Sequence, residues 1–254
     1  MSDQIRKAHA FRALHAPGAP LVLFNCWDAG SAQAVAAGGA RALATASWAV
    51  AAAHGYADGE QLPRDLAIAN IGRIARAVAL PVTVDLERGY GNTPDDVTDT
   101  VTQAIRAGAV GCNLEDGIDG GGLRPAGEQA LRLKAARAAA DRLDVPLFIN
   151  ARTDAFLLAA PSWHTAALLE TTLARAHLYA AHGADGLFVP GLVDAALIER
   201  LVRASPLPVN LMAAAGTPPL ATLRALGVAR LSHGPGPYLL AMRALEDAAR
   251  GAAA

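Results

Sequence analysis

The sequence predicts an α/β fold in which eight parallel strands and their crossover helices close into a (β/α)8 TIM barrel. Three observations carry that expectation. Eight short β-prone runs recur through the 254 residues, the runs are continuously apolar, and each gap is long enough for a crossover helix. An open doubly wound sheet is the alternative arrangement of the same units.

Taken in order, the strand-like runs cover residues 21–25, 42–47, 81–87, 110–115, 147–153, 186–190, 208–212 and 229–232. Between them, segments such as 95–107, 129–142, 165–182 and 194–204 are rich in Ala, Leu and Arg at helical spacing. The punctuation agrees. Thr93-Pro94-Asp95-Asp96 supplies an N-cap, a proline at the first helical position and acidic first-turn residues, while Gly108, Gly183 and Gly227 stand where helices stop before strands. No linker, low-complexity stretch or shift in composition interrupts the pattern. Residues 1–254 therefore read as one barrel domain, with a frayed end from Gly251.

Composition narrows the function classes. With 22 basic and 23 acidic residues the formal charge is −1, and no basic stripe supplies the footprint of a nucleic-acid binder or of attachment to an anionic membrane. No uninterrupted apolar run is long enough to mark a membrane span. Met1-Ser2-Asp3-Gln4-Ile5-Arg6-Lys7 leads into mixed amphipathic sequence rather than the apolar core of a signal peptide, so a cytoplasmic location is expected. The two cysteines, Cys26 and Cys112, each lie beside apolar strand-like sequence and suggest no disulfide framework.

In a βα barrel the reacting groups come from the carboxyl ends of the strands, and those ends are unusually polar here. The third run ends Val82-Thr83-Val84-Asp85-Leu86-Glu87, and a two-residue strand period puts Asp85 and Glu87 on one face. The fourth ends Asn113-Leu114-Glu115-Asp116, so adjacent third and fourth strands would bring Asp85, Glu87 and Glu115 into one volume. Three confined carboxylates with no nearby lysine repel, and an oxygen-seeking dication would relieve the cost. Mg²⁺ is the expected ion and Mn²⁺ accepts the same ligands, whereas no Cys or His spacing suggests zinc. Asp116 reads as a surface acid or helix cap. The fifth run ends Asn150-Ala151-Arg152-Thr153-Asp154, where Asn150, Arg152 and Asp154 share a face. Arg152 can fork onto a substrate carboxylate; its competing role is an ion pair to the acids around it. Asn210, a polar interruption within Val209-Asn210-Leu211, suits either a buried structural amide or a ligand contact.

Six segments, Asn25-Cys26-Trp27-Asp28-Ala29, Thr45-Ala46-Ser47, Gly55-Tyr56-Ala57-Asp58, Asp85-Leu86-Glu87-Arg88-Gly89-Tyr90-Gly91, Asn113-Leu114-Glu115-Asp116 and Asn150-Ala151-Arg152-Thr153-Asp154-Ala155-Phe156, occur in a characteristic order and spacing. Together they resemble the isocitrate lyase and phosphoenolpyruvate mutase superfamily, over about residues 21–234. The resemblance implies an Mg²⁺-dependent barrel that binds a 2-oxo carboxylate and stabilises its enolate. Asp85, Glu87 and Glu115 would stand at the metal, partly through water, and Asp58 would hold metal-bound water. Thr45, Ala46 and Ser47 would hold the oxo-acid oxygens, Arg152 would be the family arginine, and Asn210 would contact a substrate carboxylate. Catalytic contributions are expected from Asp58, Glu115 and Arg152. Family members are commonly tetramers that exchange their last helix, which implies a homo-oligomer, tetramer or dimer, with a C-terminal helix exchanged between subunits.

Two departures narrow the chemistry. Isocitrate and methylisocitrate lyases carry a Lys-Lys-Cys-Gly-His loop after strand four, where this chain reads Gly117-Ile118-Asp119-Gly120-Gly121-Gly122-Leu123-Arg124-Pro125. The catalytic cysteine is absent, and Cys112, which precedes Glu115, reads as a core thiol. Phosphoenolpyruvate mutases and phosphonopyruvate hydrolases place a Lys and an Asn in that loop; neither is present, which disfavours phosphonate chemistry. Loss of CO₂ from a 3-carboxy-2-oxo acid such as oxaloacetate needs an electron sink but no base to take a hydroxyl proton. The resulting expectation is an Mg²⁺-dependent carbon–carbon lyase or decarboxylase acting on a small 2-oxo acid. Phosphorus–carbon chemistry and a non-catalytic oxo-acid-binding protein are the alternatives. Gly120, Gly121 and Gly122 suit a mobile lid or a plain surface loop. Tyr90 either caps the pocket or packs, and His54, near Asp58, is a proton shuttle or an exposed loop histidine.

Overall fold

In the computed structural model, which describes residues 2–253, eight short strands run parallel to one another. They are β1 (Leu21–Leu23), β2 (Leu43–Ala44), β3 (Val82–Asp85), β4 (Gly111–Glu115), β5 (Phe148–Arg152), β6 (Gly186–Phe188), β7 (Val209–Met212) and β8 (Arg230–Ser232). Their order around the sheet is β1-β8-β7-β6-β5-β4-β3-β2. Between β1 and β2 the ladder is replaced by a bridge from Cys26 to Thr45, with the Cys26 N–H donating to the Ala44 carbonyl at 2.8 Å. The ring is thus a nearly closed barrel, as eight βα units demand.

All eight expected runs contain a strand. The second is shortened most at its carboxyl end, stopping at Ala44, and the third stops at Asp85, because the chain then leaves extended geometry and Glu87 takes the left-handed φ of 51°.

The helices lie outside the ring in chain order: α1 (Asp3–Ala13), α2 (Ala29–Ala37), α3 (Ser47–Ala53), α4 (Arg64–Ala77), α5 (Pro94–Arg106), α6 (Ala126–Arg142), α7 (Ala155–Leu158), α8 (Ala166–Ala181), α9 (Ala195–Ala204), α10 (Leu220–Ala225) and α11 (Gly236–Ala253). The α5 start follows its sequence signal: Thr93 and Asp96 each accept the other's backbone N–H in a capping box, with Pro94 at the first position. On the same helix Val97, Val101, Ala104 and Ile105 are buried at helical spacing, the stripe that faces the strands. On the opposite side of the ring, Leu187, Leu211 and Leu231 from β6, β7 and β8 join Leu169, Ile198, Leu201 and Leu223 from the covering helices in a second core.

The exception to the outer ring is α1, which closes the amino end. Phe11 is fully buried and meets Phe148 edge-on at 5.7 Å, and His15 stacks on the same ring at 3.9 Å. Gly111 makes that approach possible, since a Cβ there would stand 2.8 Å from the Phe11 ring and from the Thr83 hydroxyl. Burial of such an aromatic contributes roughly 2–3 kcal/mol. At the other terminus α11 leaves Leu239, Leu240 and Leu245 exposed, and near it Val22 and Phe24 at β1 are also exposed. The end expected to fray from Gly251 continues α11 through Ala253; Met1 and Ala254 lie outside the described residues. No helix among the described residues is long and apolar enough to cross a membrane.

Candidate active site

Asp85, Glu115 and Arg152 are the last residues of β3, β4 and β5. Register pairs Glu115 with Arg152 and Asp85 with Asn113, so strand alternation points the three side chains into the mouth. Arg152 is the hub. Its Nη1 lies 2.8 Å from Glu115 and 4.0 Å from Asp85, while Nε and Nη2 donate to the two oxygens of Asp154 at 2.6 and 3.1 Å. Asp85 is fixed from the β2 side, where its N–H donates to Thr45 Oγ1 at 2.9 Å and its carboxylate accepts from the Ser47 hydroxyl at 3.2 Å. Asn25 ties the neighbouring ends together, donating to the Thr45 carbonyl and accepting from the amides of His233 and Gly234.

Asn25, Thr45, Ser47, Asp85 and Arg152 line a cavity of about 270 Å³, while Glu115 and Asp154 stand outside its lining. Thr45, Ser47, Asp58, Asp85, Asn113 and Arg152 form its polar side; Trp48, Leu157, Phe188, Met212 and Pro235 form an apolar one. A second, narrower recess lies behind Asp85, with Glu87 and Tyr90 in its wall.

Glu87 does not reach its position by the two-residue period. β3 ends at Asp85, and the turned backbone buries the Glu87 carboxylate, which accepts from the Glu60 N–H at 2.6 Å and the Tyr90 hydroxyl at 3.3 Å. Among the described residues no three acids, histidines or cysteines close into a compact metal-ligating group.

The electrostatics are nevertheless those of a crowded anionic site. Burial, then the charges of Asp58 and Asp85, push the Glu87 carboxyl up to about 7. Burial pushes Glu115 up to about 8 against the pull of Arg152, with Asp154, Asp85 and Glu87 adding to the rise. Asp58, at the rim, is raised by desolvation and by Asp85. Burial works against the charge on Arg152, but Glu115, Asp154 and Asp85 outweigh it and hold the guanidinium above its ordinary value. Three carboxyl groups, Asp85, Glu115 and Asp154, thus share the Arg152 guanidinium, and Asp58 and Glu87 crowd them further. That donor set is all oxygen and negatively charged, which suits a hard dication that keeps part of its water shell and so needs few direct protein ligands.

Several sequence expectations change. Asp116 is neither a surface acid nor a cap: it is fully buried, accepting from the Asp154 N–H, the Tyr179 hydroxyl and Arg175 at 3.0, 2.7 and 3.1 Å. Asn210 does not line the cavity; its Oδ1 accepts from Ser232 Oγ at 3.3 Å, and Ser232 is the side chain at the wall. The Gly120–Gly122 stretch forms a turn inside a small hairpin in which Gly117 bridges Leu123, and Asp119 is tied to Arg88 at 2.6 Å. His54 Nδ1 donates to the Val50 carbonyl, 2.8 Å away, at the end of α3, and Cys112 is a buried core thiol pushed up to about 12 by desolvation. Glu60 was missed entirely. It accepts from the Tyr90 N–H at 2.6 Å and carries no strand-end signal, so its part in holding the Glu87 turn becomes visible only in three dimensions.

A parallel barrel with its charged groups gathered at the carboxyl-end mouth has the architecture of barrel enzymes. Within that class the chain belongs to the phosphoenolpyruvate phosphomutase family, whose model matches residues 11–253, and so to the phosphoenolpyruvate mutase/isocitrate lyase superfamily. A crystal structure described as a candidate phosphonomutase from Burkholderia cenocepacia J2315 is 58% identical, with a TM-score of 0.96 over 98% of this chain and 99% of that one. An uncharacterized protein of Mycobacterium tuberculosis is 38% identical, covering 95% of this chain and 88% of its own length. The oxaloacetate decarboxylase of Marinomonas sp. (strain MWYL1) is 33% identical over 71% of this chain and 61% of its own length. Likeness of fold extends to a phosphonopyruvate hydrolase solved with oxalate and Mg²⁺, 22% identical with a TM-score of 0.83 over 95% of this chain and 84% of that one.

Proposed function

We propose that the chain is an Mg²⁺-dependent carbon–carbon lyase or decarboxylase of small 2-oxo acids. The observation that carries the reading is the convergence of Arg152, Asp85 and the Thr45-Ala46-Ser47 segment around one small cavity, with Glu115 paired to Arg152 outside its lining. The kinship to oxaloacetate decarboxylases supports it. Asp85, Glu87 and Glu115 would stand at Mg²⁺, partly through water, and Asp58 would hold metal-bound water. When bound, the dication supplies the electron sink that a 2-oxo group needs as its neighbouring carbon–carbon bond breaks. Arg152 meets the substrate carboxylate, and Asp154 holds the plane of the guanidinium so that its fork is presented in one orientation. Thr45 and Ser47 orient Asp85 and offer hydroxyl and amide groups to the oxo-acid oxygens. The apolar side of the cavity limits water near the bond that breaks.

The direct test is a panel of oxaloacetate, 2-methylisocitrate, dimethylmalate and phosphonopyruvate, assayed with Mg²⁺ and with chelator for pyruvate, CO₂ and phosphate. Chelator-sensitive pyruvate and CO₂ from an oxo diacid is the expected result; phosphate release would overturn it. Phosphorus–carbon chemistry is the second reading, favoured by the description of the 58%-identical relative. It is disfavoured by the absence of Lys and Asn from Gly117 to Pro125 and by a cavity that offers one guanidinium and an apolar far wall to a highly charged phosphonate.

The proposal includes a homo-oligomer, dimer or tetramer, with α11 exchanged between subunits. Exposed Leu239, Leu240 and Leu245 on α11, and the uncovered Val22 and Phe24, support it as mutually apolar surfaces. Light scattering should give a multiple of 26.0 kDa, and a monomer across the micromolar range would refute it.

A further inference from the structure

The cavity divides into two chemistries. Its polar side can take one carboxylate and one oxo group, and Arg152 is the cationic side chain in its lining. The guanidinium is already engaged on three of its edges, by Asp154 twice and by Glu115 once. The far side is mostly carbon, with the uncharged Ser232 beside Met212. Phe188, the last residue of β6, is 4% exposed, lies in register with Arg152 and sets its ring 5.9 Å from the guanidinium carbon. Met212 at the end of β7, Leu157 on α7, Trp48 and Pro235 are the other large apolar side chains in the lining. A group seated there gains by being apolar, and a charged group there lacks a partner.

Resting on the 2-oxo-acid reading, we propose that the preferred substrate carries a short alkyl substituent on C3, seated against Phe188, Met212 and Leu157, and that these three side chains select it over the unsubstituted acid. The volume of about 270 Å³ falls just below the roughly 300–1,000 Å³ usual for small-molecule sites, which sets the substituent at a few carbons. In the decarboxylation of a 3-alkyl-2-oxo diacid the C3–C4 bond breaks, its electron pair passes to the 2-oxo group, CO₂ leaves, and a solvent proton returns to C3. The product is a 2-oxo acid whose alkyl chain stays against the apolar wall.

Calorimetric titration of the whole protein with Mg²⁺ present tests this through a ladder of ligands: oxalate, pyruvate, 2-oxobutanoate and 3-methyl-2-oxobutanoate. Affinity should rise about fourfold for each carbon added beyond pyruvate, and Leu157→Ser and Met212→Thr should flatten the rise while leaving oxalate binding unchanged. Oxalate binding with a flat or falling ladder overturns the alkyl preference and leaves the oxo-acid reading standing. A higher kcat/KM for oxaloacetate than for 3-methyloxaloacetate does the same. Failure of oxalate and of every oxo acid to bind overturns both.

Discussion

Asp185 and Arg152 stand at opposite ends of the same barrel in opposite electrostatic company. At the amino-end floor, the Asp185 carboxylate accepts from Arg12 at 2.6 Å, from Arg137 and from the Ile149 N–H at 2.8 Å, so one acid serves two guanidiniums and a backbone donor. At the mouth the ratio is reversed: Arg152 alone faces Asp85, Glu115 and Asp154, with Asp58 and Glu87 close behind. The floor network joins α1, α6 and the start of β6 and holds the fold. The mouth keeps an excess of buried negative charge that the chain alone leaves unbalanced, which is stability given up where a dication and an anionic substrate would restore the balance.

Substitutions at the two ends should therefore separate activity from stability. The largest effect is expected for Asp85→Asn, which should lower Mg²⁺-dependent turnover by about 10³-fold while leaving the thermal midpoint unchanged or higher; steady-state kinetics beside calorimetry would show both, and a destabilised but active variant would erase the contrast. At the floor, Asp185→Ala leaves Arg12 and Arg137, both partly solvated, without their acid and should cost about 1–3 kcal/mol in denaturant unfolding, with oxalate affinity unchanged in the folded protein. Asp154→Asn loosens the Arg152 fork and should raise KM by roughly tenfold with little change in kcat; an unchanged KM would make Asp154 dispensable to orientation.

The pH response sharpens the same contrast. Glu87 and Glu115 are raised in the folded chain to about 7 and about 8, above the roughly 4.3 of an unfolded glutamate. Between those values the folded state binds more protons than the unfolded one, so stability falls as pH rises. Without metal the thermal midpoint should drop from pH 5 to pH 8.5, and Mg²⁺ should recover most of the loss at the upper end; a flat profile in chelator would contradict the crowding. The smallest effect is expected for Cys112→Ala, a buried thiol that lies within electrostatic range of both networks but hydrogen-bonds to neither. It should cost about 1 kcal/mol with unaltered kinetics, and thiol reagents should leave the folded protein unlabelled.

Much of this architecture is local in origin. The eight apolar runs and the Thr93-Pro94 start of α5 were legible because strand burial and helix capping depend on a few adjacent residues. Asp85, Glu115 and Arg152 were legible for the same reason, since each lies inside or at the end of a regular strand whose two-residue alternation holds up to that point. Glu87 marks where the rule stops applying: two residues past β3 the chain turns to φ 51°, and the carboxylate is placed by Glu60 and Tyr90 rather than by parity.

By itself, then, the sequence determined the order of strands and helices, the family, the missing loop cysteine and the acids at the strand ends, all properties of neighbours along the chain or of a linear pattern. Tertiary structure alone decided that Asp116 is sealed beneath the mouth by Tyr179 and Arg175, that Ser232 rather than Asn210 meets the cavity, and that Phe188, Met212 and Leu157 give it an apolar wall. Those outcomes rest on contacts between strands and helices tens of residues apart, whose partners are chosen by closure of the ring and by the shear between its strands, and a two-residue period carries no record of either.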